Sequence, residues 1–318
     1  MKNSFFSIIL LLVVFSCAKE NKLLVDVSII DVEVDITRFE KVFYEADSSD
    51  LPKIKKEFHY FFPHNIDSIW IKKMQDNDEQ ELFKATMKVY PNLISEKEQI
   101  TNLFKHIKYY YPKFKEPKLI TLNSNVNFDQ KVVYLDSLLL ISLDVFLGKD
   151  SEIYEGYPAY IKENFTKEQL IVAISKELVR PIIFNSNDRT FLARMIQQGK
   201  FLYALDAFLP TISDNEKIGY SKEKLNWVSM NEGMIWKYFI ENKLLYNTDL
   251  DLNQRFINEA PFSKFYLDID NDSPGRVGAW LGWQIVRSFM NHNEITLSEM
   301  LVLENEQIFK KSKYKPKQ

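Results

Sequence analysis

The chain has 318 residues, 46% of them apolar and 14% aromatic, enough to bury a sizeable core in one large domain or two small ones. A formal net charge of −3 gives no global field toward nucleic acid, and eight glycines argue against a Gly-rich barrel or a nucleotide-binding fold. The single cysteine, Cys17, limits thiol chemistry to one position.

The N-terminus reads as an export signal. Met1-Lys2-Asn3 is a short basic start, and FFSIILLLVVF (residues 5–15) is an apolar run of 11 residues. A membrane-spanning helix needs about 20 apolar residues, so this run fits the core of a secretory signal peptide instead. The run ends in Val14-Phe15-Ser16-Cys17, which is similar to a bacterial lipobox. That likeness implies a signal peptide over 1–16, cleavage before Cys17, a diacylglycerol on its thiol and a polar tether over 17–24. Two or more acyl chains anchor a protein where one does not. The mature chain would then face outward from the cytoplasmic membrane. With its thiol consumed it would have no disulfide, no Cys-zinc site and no Cys nucleophile.

A single domain is expected from residue 25 to 310. VDVSIIDVEVDIT (25–37) alternates apolar and polar residues, which predicts a strand. From Arg38 to Phe114 the pattern is helical, broken at Pro52, Pro63, Pro91 and Pro112. The segment 118–147 is rich in branched residues around a polar Asn-Ser-Asn-Val-Asn and predicts two or three strands. Beyond Gly148 the chain reads as helical, with starts at Thr166 (a T-K-E-Q capping box), near Asp188, at Ser221 and at Ser273-Pro274. The fold class is therefore α+β, mainly helical, with a small sheet in the first half. The end, from Lys310, carries five lysines and reads as a basic tail over 311–318, solvated or touching lipid headgroups or an acidic partner.

One stretch raises the question of metal chemistry. Lys176-Glu177-Leu178-Val179-Arg180 has the frame of the zinc signature H-E-x-x-H, with a cation at each histidine position. At 100° per residue Leu170, Ile171, Ile174 and Leu178 share one helix face, and Lys176 and Arg180 lie opposite. Zinc needs neutral imidazoles there, and two fixed cations repel it. Eighteen residues after Arg180 stands Gln198, an uncharged amide where metallopeptidases of this type take a Glu ligand. The frame is a coincidence or a relic, and no metal or other cofactor is expected. The four histidines, His59, His64, His106 and His292, form no pair at helical ligand spacing. LDIDNDSPG (267–275) lacks the Gly and Glu of an EF-hand loop and reads as a helix start. A helix over 222–243 carries Glu232 on its apolar stripe. A buried carboxylate there is a general acid or base, or is satisfied structurally by Arg276 or Arg287. Gly278 and Gly282 allow their helix to pack closely against a neighbour. Tyr109-Tyr110-Tyr111 reads as a partly buried helix end.

Several segments together carry a family likeness: SLDVFLGKDSEIYEGYPAYI, MIQQGKFLYALDAFLP, IGYSKEKLNWVSMNEGMIWKYFIENKLLYNTD and APFSKFYLDIDNDSPGRVGAWLGWQIVRSFM. They resemble the GldB family of gliding-motility lipoproteins of the Bacteroidetes, most densely from residue 141 onward. The resemblance implies a cell-envelope lipoprotein needed for gliding and linked to the type IX secretion system, with other gliding or secretion envelope proteins as neighbours. It also implies a distantly zinc-peptidase-like, zincin-like frame. The family usually shows an acid where this chain has Gln198, and no catalytic residue carries over. The expectation is a non-catalytic envelope component, with a metal-independent or degenerate peptidase-like hydrolase using Glu232 or another cleft acid as the alternative. No nucleic acid or small-molecule substrate is expected.

Overall fold

The computed structural model describes residues 23–317 apart from 65, 136 and 184–186. The expected signal peptide, Cys17 and most of the tether lie outside the described residues.

A four-stranded mixed sheet divides the molecule into two packed regions. Its order is β1-β2-β4-β3, with β1 Ile36–Arg38, β2 Lys118–Leu122, β3 Val132–Leu135 and β4 Leu138–Ser142. The first three in that order run parallel, and β3 closes the edge antiparallel to β4. Side chains alternate across a strand, so each strand feeds both faces. Leu119 lies opposite Leu139 and both enter the main core, whereas the neighbouring Ile120 turns into a separate aromatic cluster with Phe43, Phe58, Phe62 and Phe83.

The helices follow the proline pattern closely. In the first part α1 is Phe39–Tyr44, α2 Leu51–Glu57, α3 Asp67–Gln75, α4 Asn77–Val89 and α5 Ile94–Tyr110. Pro52 starts α2 instead of breaking a helix, since a first-turn N–H has no partner to lose. Asp76 caps α4 by accepting from the amides of Asp78 and Glu79. After the sheet come α6 Ala159–Lys162, α7 Gln169–Val179, α8 Phe191–Phe208, α9 Asp214–Ile218 and α10 Lys222–Met230. Then follow α11 Glu232–Glu241, α12 Asp251–Phe256, α13 Val277–His292, α14 Leu297–Val302 and α15 Asn305–Ser312. The α+β class, mainly helical with the sheet in the first half, is what the sequence led us to expect. The polar loop before β3 is pinned by Asp144, whose fully buried carboxylate accepts from the amides of Ser124 at 2.9 Å and Val126 at 2.7 Å. That contact holds Asn125 and Val126 in the left-handed region.

At the centre α8 and α13 cross almost backbone to backbone. A Cβ on Gly282 would lie 1.8 Å from the Met195 carbonyl oxygen, and one on Gly199 would lie 2.2 Å from that of Gly282. The close packing expected of Gly282 is realised at this crossing. Beside it Arg287 makes paired hydrogen bonds to Asp206 (2.8 and 2.9 Å) and to Asp214 (2.6 and 2.8 Å), and stacks on Trp283. Lys217 reaches Asp206 at 3.0 Å, so α8, α9 and α13 share one ion network.

Four expected elements differ. The strand foreseen over 25–37 is only Ile36–Arg38, because β2 meets the chain there and residues 25–35 have no strand partner. Thr166 does not cap α7, which starts at Gln169; the carbonyl of Thr166 accepts from that residue's amide, and Lys167 pairs with Glu96 at 2.7 Å. The helix over 222–243 is two helices. The two part at Asn231, whose backbone leaves helical geometry at φ −105°, ψ 11° while its side chain and its amide both donate to the Trp227 carbonyl, at 2.8 and 3.0 Å. Ser273 does not cap α13 either: its hydroxyl bonds the carbonyls of Ser263 and Asp270, and the helix waits until Val277.

A cationic cleft as the candidate functional site

Lys176 to Val179 close α7, and Arg180 keeps right-handed helical dihedrals and leads through Pro181 into a 3-10 turn, Arg180–Ile182. Leu170, Ile171, Ile174 and Leu178 are buried, as the helical spacing requires, but so are Val172, Ala173, Ser175 and Val179. The helix is enclosed nearly all round, so Lys176 is half-buried and only Arg180 reaches open solvent. Arg180 grips both oxygens of Glu177, Nη2 to Oε1 at 2.8 Å and Nε to Oε2 at 3.1 Å. The acid that would act as base in a zinc frame is thus the anion of an i,i+3 ion pair.

Lys176 has cationic company. Loss of hydration pushes its ammonium down to about 7, and the charges of Arg276 and Lys131 add to this against Glu259 and Glu177. Glu259 responds in kind. Burial raises its carboxyl, but Arg276, Lys176 and Lys131 outweigh that and hold it below its ordinary value. Its side chain is 56% exposed, so solvent damps these interactions.

Arg276 is set by its backbone. It precedes α13 at φ 66°, ψ 21°, a left-handed conformation that costs a non-glycine residue energy. The preceding Gly275 is required by close approach, since a Cβ there would lie 2.4 Å from the Ala260 carbonyl oxygen. The Arg276 side chain, 13% exposed, donates from Nη1 to the Ile218 carbonyl at 2.6 Å and stands 3.8 Å from Glu259. It forms one wall of a narrow cleft that Tyr160, Glu163, Asn164, Tyr220, Lys224 and Glu259 also line. Lys224 closes one side in an ion pair with Glu163. Two cations and two acids therefore line the cleft, and each cation has an acidic partner.

The residues singled out from sequence do not converge. Arg276 lines this cleft, Lys176 feels the charges of Arg276 and Glu259 without lining it, and Arg287 belongs to the α8–α13 ion network. Glu232 is buried at the first turn of α11, where its partner is neither arginine: the Tyr314 hydroxyl donates to its Oε1 at 2.6 Å. Tyr314 packs edge-on against Trp236, so the chain end docks on α11 and only its lysines project. Gln198 is half-buried on α8. His59 and His64 are exposed, His106 is buried and bonded to the Asn102 carbonyl, and His292 bonds that of Ser288. Among the described residues no group of three His, Cys, Asp or Glu is placed to hold a metal ion. Sequence reasoning missed Glu259, Lys131 and Tyr314. The first two lie in loops without periodicity, and Tyr314 sits inside a lysine run that reads as solvated.

Fold and cleft together define a mainly helical α+β protein with a small mixed sheet and a narrow cleft in which acids and cations are paired. The chain belongs to the family described as gliding motility protein GldB (GldB_lipo), whose model matches residues 20–316. The chain matches no curated protein and no solved structure. Membership sets its role in gliding motility, and the lipoprotein label an envelope location with a lipid anchor. Among the described residues no helix is long and apolar enough to cross a membrane.

Proposed function

We propose that the protein serves gliding as a non-catalytic envelope lipoprotein, anchored through Cys17 on the periplasmic side and working beside the type IX secretion apparatus. The observation that carries this reading is at the end of α7: Arg180, a permanent cation, clamps both oxygens of Glu177, where a metal site would need a neutral donor and a free carboxylate. The hydrolase alternative loses its foremost acid, since the Glu232 carboxylate is buried against Tyr314 and does not line the cleft. Its partners are then other envelope proteins of gliding or secretion, and no metal takes part.

The test is made on protein purified from its own envelope. Intact mass should show a diacylglycerol on Cys17, and metal analysis should show far less than one zinc per chain. Stoichiometric zinc lost on substituting Glu177 would contradict the proposal. So would a Cys17→Ala chain that still carries lipid.

A further inference from the structure

The Glu232–Tyr314 contact organises a surface as well as a core. Tyr314 is held by Glu232 at 2.6 Å and by the Trp236 ring at 5.4 Å, which fixes the chain end along α11. The next residues, Lys315 to Lys317, form one bank of an open groove of about 1210 Å³. The other bank and floor are Met230, Met234, Trp236 and Ile240. Met230 is 74% exposed, Met234 41% and Ile240 51%. Met230 ends α10 while Met234 and Ile240 lie on α11, and all three line the groove, so this surface offers apolar side chains to solvent.

The charge around this surface is one-sided. Lys310, Lys311, Lys313, Lys315 and Lys317 are all exposed, and the last nine residues contain no acid although the whole chain is net −3. Two acids are near, Glu306 and Glu241, and each is in an ion pair with a lysine of its own helix. Exposed apolar side chains rimmed by lysines match the boundary of an anionic bilayer: hydrocarbon for Met and Ile, headgroups for the ammonium ions.

We infer that the outer side of α11 and the Tyr314-pinned lysine tail form a membrane-docking face that lays the domain against an anionic lipid surface. Glu232 is then a positioning residue, holding the tail beside α11. The inference rests on the lipid anchor proposed above, because an anchored domain always has a bilayer within reach.

The test uses the full-length lipidated protein on vesicles of phosphatidylcholine alone or mixed with phosphatidylglycerol. A fluorophore is placed at Met234→Cys, with a control at Lys72→Cys on α3, and lipid-borne nitroxide and aqueous iodide serve as quenchers. Intact mass reports the lipid on Cys17, and flotation reports anchoring. Expected is severalfold stronger nitroxide quenching at position 234 when phosphatidylglycerol is present, with weaker iodide quenching and no change at 72. Lys315→Glu with Lys317→Glu, both exposed and outside the core, should abolish the difference. Tyr314→Phe should weaken it while leaving flotation intact. A label at 234 open to iodide on every vesicle that floats would overturn the docking face and leave the anchor standing. Quenching equal on both vesicle types, or unaffected by the lysine changes, would also overturn it. Shielding in envelope fractions but never on protein-free vesicles would assign the surface to a protein partner and refute the inference. Absence of lipid on Cys17 with phosphatidylglycerol-dependent quenching preserved would refute the anchor alone.

Discussion

Tyr314, close to the end of the chain, donates its hydroxyl hydrogen bond to the buried Glu232 carboxylate at 2.6 Å. Burial, then the hydrogen bond to Glu232, raises the phenol well above its ordinary range and keeps it a donor. The acid that stood out in the sequence as an oddity on an apolar helix is therefore the anchor point of the C-terminal segment.

Tyr314→Phe should remove the donor and strand a buried carboxylate. The expected loss is about 1–3 kcal/mol, the desolvation cost of an unsatisfied group. Glu232→Gln should cost less, since an amide carbonyl still accepts from the phenol. Urea unfolding checks this through the midpoint, with the slope unchanged; equal midpoints for wild type and Tyr314→Phe would contradict the contact.

At the α8–α13 crossing, Gly282→Ala places a methyl group 1.8 Å from the Met195 carbonyl oxygen, so the helices must part. Backbone offers no rotamer to move aside, and the loss should reach about 3 kcal/mol or more, the upper end of overpacking costs. Thermal unfolding of the purified variant reads it.

The Arg287 network makes a prediction in acid. Burial raises the Asp214 carboxyl, but the Arg287 hydrogen bonds and charge, helped by Lys217, bring it below its ordinary 3.8. A depressed acid stabilises the fold above its unfolded pKa, and that stability is lost as pH falls through the folded value. The melting temperature should drop below about pH 4, and Asp214→Asn should flatten the drop.

Lys176 predicts the opposite end of the scale. Its folded pKa, pushed to about 7 by desolvation and Arg276, lies below the ordinary 10.5. Between those values the folded chain binds fewer protons than the unfolded one, so stability rises with pH across that window. Lys200, lowered to about 8 chiefly by burial, acts in the same direction. Lys176→Met should be more stable than wild type at pH 7, with the difference shrinking toward pH 10. Denaturant midpoints across that range measure it.

What the sequence made legible follows from where local rules decide. Ser221 caps α10 as its position suggests, and the apolar set of α7 is buried as its spacing requires. Charge at 176 and 180 was readable without any structure. The failures lie where tertiary partners override local pattern. VDVSIIDVEVDIT alternates like a strand but forms ladder contacts only at its end, where β2 is available. Ser273 looks like a cap but is drawn to Ser263 by a loop that must pass close to Ala260. Glu232 was expected to meet an arginine and met a tyrosine 82 residues away. Arg276 in a left-handed conformation carries no sequence signal at all, since most residues favouring that region are glycine or asparagine.

The central claim is that this chain supports gliding without chemistry of its own. The direct measurement is surface spreading by cells whose only copy carries Glu177→Gln and Glu259→Gln together, with folding and envelope level verified. Spreading at the wild-type rate is the predicted result. Cells that hold the folded protein at normal level yet cannot glide would contradict it.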